Sequence, residues 1–198
     1  MRSEDRYPAN TVRSILNTPL TTPVTAAALR ARLAAQMGIV VFDALARKNL
    51  RAACDGLIPQ SERSEPIDLT SIVENRLATG VGDGWRYSDM PDDIAALRSG
   101  LAAIEASARR SFNAGFSDLD SMARDGLLAC VQRGDVPTDI WCSLDPMRFF
   151  ETLLVAVTEA YYAHPLAQEE IGYLGMADAR GWADVGLNAR AAHEPEPL

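Results

Sequence analysis

The sequence predicts an all-α chain, a single domain of about six helices with long loops rich in glycine and aromatic residues. Three observations lead there. Apolar residues recur three or four apart in segment after segment, alternating strand patterns bounded by turns are nearly missing, and alanine, the best helix former, is abundant. With 198 residues, 47% hydrophobic and 23% charged, the chain has an ordinary globular mix, enough for one sizeable core and unlike a disordered or collagenous polypeptide.

Residues 1–21 read as an N-terminal extension, 22–190 as the helical domain and 191–198 as a loose tail. Thr22-Pro23 supplies an N-cap and first helical position for a helix through Met37. A second helix spans Val40 to Leu57, with Phe42, Ala46, Leu50, Ala53 and Leu57 on one side, and Ile58-Pro59 terminates it. A shorter helix from Pro66 to Leu77 turns Leu69, Val73 and Leu77 inward.

The clearest helix covers 91–114. Pro91 fits its first position, Asp92 and Asp93 suit the positive end of the helix dipole, and Arg109 and Arg110 the negative end. Ile94, Leu97, Leu101, Ile104, Ala108 and Phe112 form its apolar stripe, and Gly115 ends it. Ser117 with Asp120 resembles a capping box for a helix carrying Leu119, Ala123, Leu127 and Val131, which Gly134 stops. Asp145-Pro146 opens the last helix, with Phe150, Leu153, Leu154, Val157 and Tyr161 on one face, and Pro165 closes it after His164. Two long irregular stretches remain, Thr79 to Met90 and His164 to the C-terminus, and their large aromatics argue against disorder.

The charge of −8 and pI near 4.8 oppose binding to nucleic acid or anionic membrane, since a basic pair such as Arg109-Arg110 is far short of a phosphate-binding stripe. No run of 18 apolar residues occurs, so direct membrane insertion is not expected. Met1 to Asn10 lacks both an apolar signal core and a twin arginine, so the expected location is cytoplasmic unless a signal-bearing partner carries the chain to the periplasm.

Chemistry-bearing patterns are scarce. Cys54, Cys130 and Cys142 form no C-x-x-C pair and have no histidine at ligand spacing, so they read as buried small hydrophobes, their odd number leaving room for one bridge or an intermolecular thiol. Of the two histidines, His193 lies in the tail and His164 at a helix C-terminus, where a structural role suits a partly charged ring. Glu-x-x-His pairs for a di-iron site and the G-x-S-x-G nucleophile motif are missing. Gly80-Val81-Gly82-Asp83-Gly84 follows no strand and lacks the P-loop lysine. Asp92/Asp93 and Glu169/Glu170 read as helix-start electrostatics and solvated surface. No catalytic residue, cofactor-binding residue or metal ligand is therefore expected in this chain, and the aromatic, glycine-rich loops suit a surface that packs on a partner.

Several segments carry a resemblance in their order and spacing. They are Leu50-Arg51-Ala52-Ala53-Cys54-Asp55-Gly56-Leu57-Ile58-Pro59; Gly84-Trp85-Arg86-Tyr87-Ser88-Asp89-Met90-Pro91 leading into the Gly100-Leu101 helix; and Gly115-Phe116-Ser117-Asp118-Leu119. Most distinctive are Phe149-Phe150-Glu151-Thr152, Tyr161-Tyr162-Ala163-His164-Pro165 and Glu170-Ile171-Gly172-Tyr173-Leu174-Gly175. From about Val40 to Leu187 the chain resembles subunit 3, the gamma or small subunit, of gluconate 2-dehydrogenase.

That resemblance implies a non-catalytic partner of a large FAD-dependent oxidoreductase of the glucose-methanol-choline type. FAD is expected in the large subunit, which oxidises a sugar, sugar acid or other alcohol, with a cytochrome or a dye as the onward electron acceptor through the complex. The small subunit is expected to support folding and stability of the large one. In many members it also carries a twin-arginine signal, which Met1 to Asn10 does not contain.

Candidate interface residues are Trp85, Tyr87, Met90, Tyr161, Tyr162, His164, Tyr173 and Trp182, with Tyr161 also fitting the core stripe. Two rival readings stay open. One is a stand-alone helical ligand-binding module or regulator; the other is an enzyme using His164 with Glu170 or Asp178.

Overall fold

Short polar side chains, aspartate above all, set where the helices begin. The computed structural model describes residues 7–34, 38–80, 87–175 and 194–197. Among these lie eight α-helices and one 3-10 turn, with no strand, so the fold is all-α. The helices are α1 (Thr11–Ile15), α2 (Pro23–Leu33), α3 (Ala44–Leu57), α4 (Leu69–Thr79), α5 (Asp93–Phe112), α6 (Ser121–Arg133), α7 (Pro146–Tyr162) and α8 (Pro165–Glu170), and the 3-10 turn is Phe116–Asp118. The side chains of Thr22, Asp43, Asp68, Asp92 and Asp120 each accept a backbone N–H three residues on. Each such cap is worth about 1 kcal/mol.

These caps move several boundaries from where the sequence pattern put them. Asp43 starts α3 at Ala44 instead of Val40, Asp68 starts α4 at Leu69 instead of Pro66, and Asp92 starts α5 at Asp93, leaving Pro91 outside the helix. Ser117 is no cap: it lies in the 3-10 turn, and Asp120 opens α6. Helix α5 stops at Phe112 because Asn113 takes a left-handed φ of 53°, and Phe112 is 45% exposed, off the buried stripe. Beyond His164 the chain is helical again, because Pro165 suits the first turn of α8 as well as it forbids continuation of α7.

The chain divides into two compact units, Gln36–Ala160 and Met1–Ala35 with Tyr161–Leu198. In the first, α3 packs on α4, α5, α6 and the 3-10 turn. Phe42, Leu50, Leu97, Leu101, Ile104, Phe116, Phe149 and Leu153 are all buried. Gly100 makes room for the Phe149 ring, since a Cβ at that position would lie 2.0 Å from two ring carbons. Two glutamates are buried with this core. Glu74 accepts from the backbone N–H groups of Val41 (3.2 Å) and Phe42 (3.3 Å) and pairs with Arg47 at 2.7 Å. Glu105 accepts from Phe116 N (2.9 Å) and Asn49 Nδ2 (3.2 Å), and Arg109 lies 2.7 Å from its other oxygen.

In the second unit, α8 packs on α1 and α2. Its apolar cluster is Val12, Ile15, Leu16, Leu29 and Leu174. Asn10, at the N-cap of α1, makes no side-chain cap bond there. The carboxylate of Glu169 takes that place, accepting from Asn10 N (3.0 Å) and Arg13 N (2.9 Å) while the Arg13 guanidinium pairs with it at 2.9 Å. The expectation of a solvated Glu169 is thereby overturned: the side chain caps a helix distant in sequence and is buried.

Candidate functional site

The expected interface residues fall into two groups, one in each unit. Trp85 and Trp182 lie outside the described residues, as do His193 and Asp178. So does 81–86 of the glycine-rich loop, of which Gly80 forms the left-handed C-cap of α4.

Tyr87 and Met90 belong to the first group. Met90 is buried and Tyr87 is 37% exposed. The Tyr87 ring is held from two sides: its hydroxyl donates to Glu151 Oε2 (3.3 Å), and the Arg148 guanidinium lies 4.2 Å from the ring centroid. Arg148 also pairs with Asp89. Arg148 and Glu151 sit one turn apart on α7, so one helix face pins the 87–90 segment. Beside it runs a groove of about 340 Å³, within the range of ligand-sized clefts, between α4, the start of α5 and α7. Val73, Leu77, Met90, Leu97, Val155 and Ala156 give it an apolar lining. Its polar lining includes Arg76, paired with Glu159 at 2.6 Å.

Tyr161, Tyr162, His164 and Tyr173 form the second group. Tyr161 is buried, its hydroxyl donating to Glu170, with the Tyr162 ring edge-on at 5.1 Å. Tyr162 is 49% exposed and Tyr173 46%, and Ile171 beside them is exposed as well. The Tyr173 hydroxyl donates to the Gly175 carbonyl at 2.7 Å. Gly172 has a φ of 66°, and the Tyr7 ring stands 2.8 Å from where its Cβ would be, so glycine is required there twice over. His164 is buried and caps the start of α8, its Nδ1 accepting the Leu166 N–H at 3.3 Å. The ring therefore serves the start of α8 and not, as the sequence pattern predicts, the end of α7.

The three cysteines are free. Cys54 is buried, and burial, reinforced by Asp55, pushes its thiol up to about 12 from 9.0. Cys142 is exposed, against the expectation that all three are buried. No group of three or more His, Cys, Asp or Glu side chains able to hold a metal occurs among the described residues. Among them, too, no helix is long and apolar enough to cross a membrane.

Sequence reading missed Arg148, Glu151 and Asp89, whose only signal is the i,i+3 spacing of Arg148 and Glu151 before an aromatic-rich loop partner. The buried glutamates carried no signal, since each meets backbone N–H groups across an irregular segment. In comparison with known proteins, the family model described as gluconate 2-dehydrogenase subunit 3 matches residues 44–178. No curated protein and no solved structure matches the chain.

Proposed function

The chain belongs to the gluconate 2-dehydrogenase subunit 3 family, and we propose that it is the non-catalytic small subunit of an FAD-dependent sugar or alcohol dehydrogenase of the glucose-methanol-choline type. Membership makes it an accessory subunit of a dehydrogenase complex; the flavoprotein partner and a stabilising role are our own reading. The observation that carries this reading is the family match, which begins at the first residue of α3 and runs through α8.

The surface chemistry supports it. Tyr87, Tyr162 and Tyr173 are exposed and each is oriented by a hydrogen bond or a neighbouring ring, so little rotamer freedom remains to be lost when a partner covers them. These three are the anchors we assign to the interface, whereas buried Met90, Tyr161 and His164 act by holding the segments that carry them. Apolar burial on the large subunit contributes about 25 cal/mol per Å² before association costs. A subunit that binds only the folded large chain stabilises it by linkage.

Coexpression with and without the FAD-dependent large subunit tests the reading. A yellow complex should copurify with this chain, and soluble flavoprotein should fall several-fold when the chain is omitted. Equal yields of active, soluble flavoprotein in both cases, with no complex, would sink it.

A further inference from the structure

The groove between α4, the start of α5 and α7 has an apolar floor and an acidic rim. Among the described lining residues, Asp92, Asp93, Glu151 and Glu159 stand with the guanidinium of Arg76. Val155 stands in the lining with 38% of its surface exposed, in the middle of the 17-residue helix α7. One wall, the Tyr87–Met90 segment, is fixed in advance by the Arg148–Asp89 pair and by the stacking of Arg148 on Tyr87. A cleft that is apolar at its floor, negative at its rim and rigid at one wall is complementary to an apolar side chain flanked by cations.

We propose that this groove receives a short basic segment of the large subunit, which seats an apolar side chain against Val155 and Leu97 and sets Lys or Arg beside Glu151 and Asp93. The proposal rests on the small-subunit reading above and adds the place and the chemistry of contact. The acidic rim orients the segment and speeds its approach, and the apolar floor supplies most of the retention. The same rim discourages an anionic occupant.

The test uses the full chain coexpressed with its FAD-dependent large subunit, scoring flavin absorbance retained on the tagged small subunit. Val155→Arg places a cation among the rim carboxylates, where the fold accommodates it and a basic segment does not. Retained flavoprotein is expected to fall at least tenfold while helical circular dichroism and melting temperature stay as in the unaltered chain. In the double variant Asp93→Asn with Glu151→Gln, retention at low salt should drop and its dependence on salt should flatten. If Val155→Arg does not fold, Thr152→Arg, one turn earlier on the groove wall, is read in the same way.

Full retention by a folded Val155→Arg or Thr152→Arg chain overturns the groove proposal and leaves the small-subunit reading standing. If the unaltered chain retains no flavoprotein at all, the reading itself fails and the proposal with it. A small molecule found by native mass spectrometry in the unaltered chain and lost from Val155→Arg, with complex formation unchanged, also overturns the docking assignment.

Discussion

The unit of residues 36–160 and the unit formed by 1–35 with 161–198 bury glutamate in the same manner but rest on different amounts of apolar packing. In the first, Glu74 and Glu105 sit beside a core containing Phe42, Phe116 and Phe149, all nearly inaccessible to solvent. In the second, Glu169 joins α8 to the start of α1 beside a cluster of five aliphatic residues, Val12, Ile15, Leu16, Leu29 and Leu174. The family match covers α3 to α8, and so takes in α8 of the second unit while leaving α1 and α2 outside. Where packing is dense a glutamate clamp adds to a core that already specifies the fold, and where packing is thin the clamp does a larger share of that work.

The largest effect should come from Gly100→Ala. In an ordinary helix interior this change stabilises by about 1 kcal/mol through helix propensity. Here the added methyl would meet the Phe149 ring at 2.0 Å, so the ring or α5 must shift. A net loss of about 3 kcal/mol in chemical denaturation is expected, overpacking outweighing propensity. A stabilised variant would mean that the 36–160 core is looser than its glycine contact indicates.

Removing the clamps sharpens the contrast. Glu169→Ala leaves Asn10 N, Arg13 N and a partly exposed guanidinium without their acceptor, at a cost of about 2 kcal/mol after discounting for solvent around Arg13. By hydrogen exchange, α1 and α8 should lose protection while α3 and α5 keep theirs. Glu74→Ala should cost about as much, because Val41 N and Phe42 N lose their acceptor and Arg47 its partner. Its loss of protection should appear at 38–47 and in α4. Loss of protection in α3 and α5 on Glu169→Ala would erase the distinction between the two units.

Much of the fold was legible in the sequence, and what was not has a common cause. All six helices read from periodicity are present, because an apolar stripe three to four residues apart has few other solutions. Their starts were displaced wherever an aspartate near the expected boundary outcompeted a proline or serine for the cap, as Asp92 did beside Pro91 and Asp120 beyond Ser117. Helix α8 was missed because Pro165 reads as a stop when only the preceding pattern is considered. At the candidate site, periodicity marked Tyr161 as part of a stripe, and the aromatics of the loops were visible as residues needing cover. The Arg148 stack on Tyr87 and the groove beside it come from side chains about sixty positions apart, and no local pattern encodes such a meeting.

Cys54 offers a smaller test within the dense unit, through pH. Its thiol is raised from 9.0 to about 12 by burial, so the folded chain keeps the proton that the unfolded chain gives up above pH 9. The unfolded state then binds fewer protons, and stability should decline between about pH 9 and 12 at up to about 1.4 kcal/mol per pH unit from this group. Cys54→Ala should flatten that decline while lowering stability at pH 7. A thiol-specific reagent at pH 8 should label exposed Cys142 quickly and Cys54 only on unfolding. Rapid labelling of Cys54 in the native protein would show that the α3 face opens far more readily than its packing implies.

The smallest effect belongs to the surface. Lys48 and Asp118 pair at 2.9 Å with both side chains largely in water, and the lysine holds the Asp118 carboxyl below its ordinary value through a hydrogen bond and its charge. A depressed carboxylate contributes stability above its unfolded value and loses it as pH falls through the folded one, so whatever this pair contributes is fully present at neutral pH and only its loss lies on the acid side. Water and salt screen such a pair, and holding two mobile side chains together opposes it. Lys48→Ala should therefore leave the denaturation midpoint at neutral pH unchanged within error, in high and low salt alike. The contrast with Glu105, which receives the N–H of Phe116 two residues before Asp118 on the same 3-10 turn, isolates burial as the variable. A Lys48→Ala loss comparable to that of a buried clamp would mean that this turn is held from its wet side, and the division between buried and exposed carboxylates would need to be redrawn.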